Sequence, residues 1–414
     1  MVSLIASLLI GASAPQRLLI ESASGILDEP QLYTVNADGT GLCELGAGES
    51  AIWSPDGKRV AFVLPSSQPL GAKSETEPYD LFVVNADGTA RRKLAGSISD
   101  FLAIVGWTGD SNSILFSKGT SEESFDEFWL MPVSGSSPRK VGPSCMEDYF
   151  DLSISPKSDM FVASISVGTM NKHEHILTIF NSKLGSGTPI CEGEGADISP
   201  NGRHIAFEAD GRLIVVNADG TSKRDLGSLG AEGYFEWLPD SSGLVFDDRS
   251  AKSLSLIRLD GSTKIRLGSH LYEAYISPNS DRAICGDGKG YLLCDFKTGA
   301  TTRIKNSEDL CPISWSADGT RFYASTFKGD KEQLSWFSGD GQAGGILIDD
   351  LADEVTEDSI SADGTYLARF AGSKALISKL DNSARKEVSV ADKITSVSWC
   401  MKPTRTGGSM GCCD

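Results

Sequence analysis

Apolar and polar residues alternate along most of this chain in short runs that are separated by turn residues. Residues 58–64 and 80–84 are examples, and both runs are rich in β-branched and aromatic side chains. A period of two predicts β-strands with one face toward a core. Because no stretch keeps a 3.6-residue apolar period over the length of a helix, the pattern predicts an all-β protein.

The predicted strands belong to a unit that recurs roughly every 40 residues. One apolar position, which we call the marker, ends the first strand of each unit. The markers are Trp53, Trp107, Ile154, Ile198, Trp237, Ile276, Trp315, Ile360 and Trp399. A Ser-Pro-Asp-Gly-type turn follows the marker, and an Asn-Ala-Asp-Gly-type turn follows later in the unit. Pro fixes φ, Asp bonds to nearby backbone and Gly supplies a positive φ, so both motifs favour tight turns.

Each unit predicts a four-stranded antiparallel sheet, whose strands we name A, B, C and D in chain order. Stacking such sheets around an axis buries both of their faces, so we expect a single β-propeller. The N-terminus supplies B, C and D strands, and the C-terminus supplies a lone A strand ending at Trp399. These two ends are expected to complete one shared blade and close the ring. The irregular spacing around Trp107 and Ile154 leaves the count at eight or nine blades.

The repeat assigns residues 15–400 to the propeller and leaves two terminal segments outside it. Residues 1–14 have a short apolar core followed by Ala12-Ser13-Ala14, which is typical of a secretory signal, although no basic residue precedes the core. The alternative is an additional strand. Residues 401–414 are expected to be a disordered tail. We therefore expect a periplasmic or secreted protein, with a cytoplasmic one as the alternative, and no membrane span in the mature chain.

Charge and motifs narrow the function classes. The formal net charge is −18 at pH 7, which argues against a nucleic-acid partner, because phosphates require basic patches. Within residues 15–400 the sequence has no Gly-x-Ser-x-Gly, P-loop or His-Glu-x-x-His motif, and no Gly-x-Gly-x-x-Gly that leads from a predicted strand into a predicted helix, so we predict no catalytic residues and no cofactor. The nine cysteines lack metal-type spacing. Cys285, Cys294 and Cys311 fall in strand-like segments, where a free cysteine usually behaves as a small apolar residue.

The segment from Trp53 to Phe62, with Leu81 to Thr89, resembles the propeller repeat of the TolB family, which is WD-repeat-like. Similar repeats occur in tricorn and dipeptidyl-peptidase propellers. The resemblance covers essentially Arg17 to Trp399 and implies a binding propeller in the cell envelope or outside the cell, without naming a partner. TolB has an additional N-terminal α/β domain, and the peptidases have a hydrolase domain. Neither domain is expected from this sequence.

The lengths of the loops predict which rim of the propeller carries the binding site. The A–B and C–D turns lie on one side, which we call the uniform rim, and the D–A and B–C loops lie on the other, the variable rim. Length variation is concentrated on the variable rim, in 65–79, 118–126 and 167–174. Since binding residues tend to lie on variable loops of a rigid scaffold, we expect the binding site there.

Carboxylates precede the A strands on the variable rim and predict an acidic channel mouth. The candidate binding residues are Glu49, Asp100, Asp148, Glu194, Glu232, Glu273, Glu308 and Glu357. If their side chains point inward, their field attracts a cationic ligand or a basic segment of a protein or peptide partner. The simpler interpretation is that an acidic protein has acidic loops everywhere. Reversing the charges of Glu273 and Glu308 distinguishes the two.

Two other features suggest chemistry. His173 and His175 are two apart in a predicted strand and share a face, so both imidazoles are candidate metal ligands. Solvated histidines at a strand start are the simpler interpretation. The tryptophan markers suggest carbohydrate stacking, but their common position favours packing between blades.

The sequence thus favours a non-enzymatic binding or scaffold propeller. The alternatives are a metal-dependent lyase or hydrolase with a site near His173 and His175, and the recognition subunit of a split peptidase. The enzyme question stays open at this point.

Overall fold

A computed structural model of the chain describes most of the repeat region. The described residues are 16–23, 30–66, 78–96, 101–119, 127–141, 152–169, 172–181, 187–230, 233–262, 264–308, 310–328, 331–351, 359–361, 363–380 and 383–400. The proposed signal segment, the proposed tail, and the candidates Asp100, Asp148, Glu232 and Glu357 lie outside these ranges.

The described residues form 36 β-strands and no helix, which confirms the all-β prediction. No membrane-spanning helix is therefore found among them. The first four blades consist of β36 Ile394–Trp399, β1 Arg17–Ser22, β2 Gln31–Asn36, β3 Cys43–Ala47; β4 Glu49–Trp53, β5 Arg59–Pro65, β6 Tyr79–Asn85, β7 Arg92–Ala95; β8 Phe101–Trp107, β9 Ser113–Gly119, β10 Glu127–Pro132, β11 Arg139–Val141; and β12 Leu152–Ile154, β13 Phe161–Thr169, β14 Lys172–Phe180, β15 Thr188–Glu192.

The remaining five blades continue in chain order. They consist of β16 Glu194–Ile198, β17 His204–Ala209, β18 Arg212–Asn217, β19 Arg224–Ser228; β20 Phe235–Trp237, β21 Gly243–Asp248, β22 Ser253–Arg258, β23 Lys264–Gly268; β24 Tyr272–Ile276, β25 Arg282–Gly286, β26 Tyr291–Asp295, β27 Thr301–Arg303; β28 Leu310–Trp315, β29 Arg321–Lys328, β30 Lys331–Ser338, β31 Gly344–Leu351; and β32 Ser359–Ile360, β33 Tyr366–Ala371, β34 Lys374–Lys379, β35 Arg385–Ser389.

The ring has nine blades, so the higher of the two expected counts is confirmed. The units at Trp107 and Ile154, where the spacing was irregular, form separate sheets. Closure occurs as expected, because β36 pairs with β1 in an antiparallel register that places Trp399 opposite Leu18. The N- and C-terminal parts of the repeat region therefore share blade 1, and strand hydrogen bonds close the ring.

The core lies between consecutive sheets. One buried cluster combines Leu19, Leu32 and Leu45 of blade 1 with Val60 and Phe62 of blade 2. Other clusters join blades 4 and 5 and blades 9 and 1 in the same way. Consecutive A strands also contact one another, as β4 does with β8 and β12 with β16. The A strands therefore line the axis, and the D strands form the outer edges of the blades.

The tryptophan markers fasten neighbouring blades. In each case the indole Nε1–H donates to the carbonyl of the residue just before the marker of the preceding blade. The bonds are Trp53 to Ser398 (3.2 Å), Trp107 to Ile52 (3.3 Å), Trp237 to Asp197 (3.1 Å), Trp315 to Tyr275 (2.8 Å) and Trp399 to Ser359 (2.8 Å). The structure thus confirms that these indoles pack between blades.

The uniform rim is held together by its turns. In blades 3, 6 and 7 a serine replaces the turn glycine and adopts the same left-handed conformation, with φ of 60° at Ser111 and 61° at Ser241. Its hydroxyl accepts a backbone N–H from the preceding turn, as Ser241 does from Asn201 (2.9 Å). The A–B turns therefore bond to one another instead of presenting free polar groups.

Candidate functional site

The variable rim carries the candidates that the structure describes. Glu49 and Glu194 are the first residues of β4 and β16, Glu273 is the second residue of β24, and Glu308 lies just before β28. Glu194 and Glu308 are exposed, whereas Glu49 and Glu273 are half-buried. All four lie where the chain crosses to the A strand that lines the axis, as the repeat predicted.

A β-bulge explains how Glu273 is held. The A strands of blades 2, 5 and 7 are irregular at the same position, three residues before the marker, where Ser50, Gly195 and Glu273 have positive φ. A bulge of this kind bends the strand and changes its direction near its end. The Tyr275 hydroxyl donates to Glu273 Oε2 at 3.3 Å, which ties this carboxylate to its own strand.

The structure adds carboxylates that the sequence reasoning missed. Glu21, Glu208 and Asp247 occupy one register position, the fourth residue of the B strand counted from the partner of the marker. Of the six other blades, two have Val63 and Phe370 there, and four have the small residues Ser117, Ser164, Gly286 and Ser325. An acidic residue at a strand position that is uncharged in the sister blades was the available signal, but it becomes visible only when the strands are paired.

Two like-charged pairs result on the inner part of the variable rim. Glu194 lies directly opposite Glu208 in the β16–β17 pairing. Burial, followed by the repulsion from Glu194, raises the pKa of Glu208. The Glu208 carboxylate also faces blade 6, because a Cβ added to Gly233 would lie 2.7 Å from Oε2. This carboxylate therefore lies between two blades next to another negative charge.

The second pair spans blades 1 and 2. Burial raises the pKa of Glu21, and the nearby charge of Glu49 adds to this shift. Backbone N–H groups of Ser50 and Ala51 bond to the Glu21 carboxylate and partly offset the shift. Glu208 and Glu194 thus belong to the B and A strands of one blade, whereas Glu21 and Glu49 belong to consecutive blades. In both pairs, a carboxylate of a B strand lies near the first residue of an A strand.

Charges near the outer strands are arranged differently, because carboxylates there have cationic partners. Asp80 pairs with Lys93 (2.6 Å), Asp225 with Arg212 (2.5 Å), Asp248 with Lys264 (2.6 Å), Asp287 with Arg303, and Glu387 with Lys374 (2.9 Å). Each pair involves a D strand. On the described part of the variable rim, charge is therefore balanced near the outer strands and negative near the axis.

The histidine candidates lie at one end of the β13–β14 hairpin. His173 pairs with Gly168 and His175 with Ser166, so much of the variable loop expected at 167–174 is a continuation of the hairpin. The His173 side chain lies outside the described set. Among the described residues, no group of three His, Cys, Asp or Glu side chains is placed to hold a metal ion. Metal binding at His173 and His175 stays a prediction.

The cysteines and turn aspartates have structural roles. Cys285 and Cys294 are buried and Cys311 is half-buried, and none of these three described residues forms a disulfide. Asp38 accepts hydrogen bonds from the backbone N–H (2.9 Å) and hydroxyl (2.6 Å) of Thr40, and Asp87 and Asp219 repeat these bonds with their own threonines. The turn bonds lower the pKa of Asp38.

Comparisons with known proteins support the fold. No protein-family model matches the chain, and no curated protein matches it. Among solved structures, a crystal structure of the eukaryotic initiation factor matches with a TM-score of 0.62 at 11% identity, covering 95% of this chain and 100% of that chain.

Two further structures are more distant. An oligogalacturonate lyase in complex with manganese has a TM-score of 0.42 at 12% identity, covering 87% of this chain and 95% of its own. TolB from Acinetobacter baumannii has a TM-score of 0.34 at 14% identity, covering 93% of this chain and 83% of its own. The structural neighbours thus include TolB, but membership of a TolB family is not shown. At these identities the comparisons speak for the propeller fold alone.

Proposed function

We propose that this protein is a binding propeller that engages a basic segment of a protein or peptide through the inner part of its variable rim. The observation that carries the proposal is the two like-charged pairs, Glu21 with Glu49 of the next blade and Glu208 with Glu194 of its own blade. Holding two carboxylates together opposes folding, because the charge of the neighbour disfavours the ionised form of Glu21 and of Glu208. A lysine or arginine placed between them relieves this repulsion.

The position of these pairs supports the same function. They lie on the rim that lacks uniform turns, at the mouth of a channel lined by A strands. Protein walls of low dielectric constant focus the field of such charges and raise the local concentration of a cation. An extended basic chain reaches several blades at once, whereas a small cation reaches one pair.

Hexalysine binding, measured by fluorescence anisotropy, tests the proposal. We expect the double variant Glu194→Lys/Glu308→Lys to weaken binding by about tenfold at roughly 0.15 M salt, since exposed charges act over about a Debye length of 8 Å. These two residues are preferred to Glu273, whose bulge and bond to Tyr275 would be disturbed. Both are exposed, so the fold should be retained, and because Glu194→Lys removes the charge that repels Glu208, the melting temperature should not fall.

The matched control is Glu44→Lys/Glu387→Lys, which makes the same charge change at exposed positions of two outer D strands. Equal weakening by both double variants would mean that only net charge matters, and this result would remove the proposal. Metal analysis tests the lyase or hydrolase alternative. Stoichiometric metal that is lost in His173→Ala/His175→Ala would favour the enzyme instead.

A further inference from the structure

The junctions that contain a tryptophan marker, which we call indole junctions, share a second feature on the uniform rim. At each of them, the B strand of the preceding blade begins with a side chain that contacts the next blade. These residues are Arg17, Arg59, His204, Arg282 and Tyr366. Arginine is always charged and tyrosine is neutral near pH 7, whereas the charge of histidine changes in this range. One of the indole junctions is therefore titratable at this position.

Two of the arginines bond to equivalent carbonyls of the next blade. Arg17 donates to the carbonyl of Ala86 (2.7 Å), and Arg282 donates to that of Gly339 (2.8 Å). Each acceptor directly follows a C strand, β6 in blade 2 and β30 in blade 8. A cation at the start of the B strand thus has a backbone acceptor across the junction.

Between blades 5 and 6 the equivalent carbonyl is occupied by another side chain. It belongs to Leu259, which follows the C strand β22, and it accepts a bond from Arg224 of the outer strand β19. His204 instead packs beside the indole of Trp237, with the ring centroids 6.2 Å apart. Its Nδ1 is buried, and within the described ranges nothing bonds to it. Because a protonated imidazole carries a hydrogen on both nitrogens, protonation would leave an unbonded N–H in this contact.

Nearby charges also oppose the protonation of His204. Burial lowers the pKa of the imidazole, and the positive charges of Arg224 and Arg203 lower it further. Arg224 thus acts in two ways, because it occupies the carbonyl that a cation at this position would use and also repels such a cation.

The other elements around the imidazole add no compensating charge. On β18 the residue opposite His204 is Asn217, and blade 6 meets the ring with Trp237. The turn carboxylate of blade 6, Asp240, lies 3.9 Å from Arg258. Among the described residues, the charges that shift the pKa of His204 are those of the two arginines alone. The contact between these blades therefore suits a neutral ring.

Blade 9 shows that a neutral ring at this position is sufficient for an indole junction. Its Tyr366 lies beside Trp399 with the ring centroids 6.3 Å apart, close to the separation of His204 and Trp237. The Trp399 indole donates to the carbonyl of Ser359 at 2.8 Å. Tyrosine is thus the matched replacement for His204, because it keeps an aromatic ring and removes the titration near neutral pH.

We propose that the contact between blades 5 and 6 is an acid-sensitive joint, which is closed while His204 is neutral and loosens when His204 is protonated. The joint keeps its full stability above the unfolded pKa of histidine, about 6.5. As the pH falls below that value, the opened form takes up a proton more readily than the closed form, so stability is lost until the folded pKa has been passed. The other indole junctions have no histidine at this position and should not respond. Neither the joint nor its test depends on a bound partner.

Hydrogen–deuterium exchange of the full chain tests the joint. After correction for the intrinsic rate, we expect residues 235–238 to exchange at least about threefold faster at about pH 5.5 than at about pH 8. Residues 105–108, at the junction of blades 2 and 3, should not change. His204→Tyr should abolish the difference. The matched control, His270→Asn, should retain it, because His270 is exposed and its φ of 59° is one that asparagine tolerates.

A titration of the histidine side chains by NMR does not depend on the folding of the tyrosine variant. We expect a pKa of His204 below the ordinary value of about 6.5. Arg224→Gln removes a repelling charge, so it should raise this pKa and reduce the acid response. Three results would each overturn the joint: a His204 pKa at or above about 6.5, an equal acid response in wild type and His204→Tyr, and an acid response that is equal at every indole junction.

Discussion

At the scale of the residue, the most informative feature is a carboxylate with a carboxylate for a neighbour. Glu208 is opposite Glu194, and burial together with that neighbour raises its pKa. A protein that needed only stability would have an uncharged residue there, as blade 2 has in Val63 and blade 8 in Ser325. Sites that oppose stability in this way are frequently sites of function.

Glu208→Gln tests whether the repulsion between Glu208 and Glu194 destabilises the protein when no partner is bound. A carboxyl whose pKa is raised by folding destabilises the folded state when it is ionised. The penalty is complete above its folded pKa and disappears below its unfolded value of about 4.3. We therefore expect the variant to unfold at a higher denaturant concentration than the wild type at pH 7, with the difference vanishing below about pH 4.

Chemical denaturation at several pH values provides the measurement. Glu44→Gln is a suitable control, because Glu44 is exposed on the outer strand β3. A Glu208→Gln variant that is less stable than the wild type at pH 7 would show that its carboxylate makes a stabilising bond, contrary to our interpretation.

The sequence could not have identified Glu208 or Glu21 before the strands were paired. Each stands at the end of an apolar run, where it reads as the last polar residue of a strand. Their shared position depends on counting from the marker through an antiparallel pairing. The candidates Glu49 and Glu194 were accessible, because their positions relative to the repeated turn are constant along the chain.

At the scale of the element, blade 6 shows how a B–C hairpin is fixed to its outer strand. Asp248 is fully buried at the end of β21 and accepts bonds from the Ser250 backbone N–H (3.1 Å) and hydroxyl (2.6 Å). Lys264 of β23 lies 2.6 Å from its other oxygen. Burial opposes ionisation, but the bonds to Lys264 and Ser250 outweigh it and lower the pKa of Asp248.

We expect Asp248→Asn to reduce the free energy of unfolding by about 1.5–3 kcal/mol at pH 7, because it removes the charge of a buried carboxylate that accepts bonds from Ser250 and from the half-exposed Lys264. Since the folded pKa of Asp248 is lowered, its stabilisation is present above the unfolded value of about 3.9 and is lost as the pH falls through the folded value. The two proteins should therefore converge in acid.

Asp225→Asn is the matched control in denaturant titrations. Asp225 also pairs with a cation on a neighbouring strand, Arg212, but both side chains are about half exposed. Its loss should cost less than about 1 kcal/mol. Similar losses in the two variants would show that burial of Asp248 adds nothing.

Elements also differ in how far the sequence revealed them. Turn chemistry predicted the hairpins and the left-handed position that glycine fills at Gly57, whereas the serine with the same conformation at Ser241 was found only in the structure. The length of β31 was not predictable, since alternation indicates a strand and not its position in the ring. The hairpin of β13 and β14 was read in part as a loop, because its strands continue through polar residues such as Lys172 and Glu174.

At the scale of the whole molecule, the ring is a series of junctions of similar kind. Five of them contain the indole bond to the preceding blade. The repeat limited the blade count to eight or nine, and the structure shows nine, which exceeds the range of about 4–8 that is common for propellers. Closure was predictable from the unmatched strands at the two ends of the repeat region.

Trp53→Phe and Trp237→Phe test whether the junctions are independent. Each substitution removes an N–H donor from a carbonyl between blades, at the junctions of blades 1 and 2 and of blades 5 and 6. We expect each to cost about 1–3 kcal/mol. Because the sites are far apart, the double variant should lose the sum of the two to within about 0.5 kcal/mol.

Thermal and chemical unfolding of the four proteins in this cycle give the measurement. A coupling energy above about 1 kcal/mol would show that strain passes around the ring and that the junctions are not separate units.

Each indole bond runs from a tryptophan marker back to the preceding blade. This shared direction determines how such a ring can gain a blade. Blades 1 and 2 each donate through a tryptophan marker to the preceding blade and accept, at the carbonyl just before that marker, the indole bond of the next blade. A blade copied in tandem would therefore meet both of its neighbours with bonding groups that it already possesses. Growth of the ring by duplication of such a blade requires no new type of contact between blades, only a ring of slightly larger diameter.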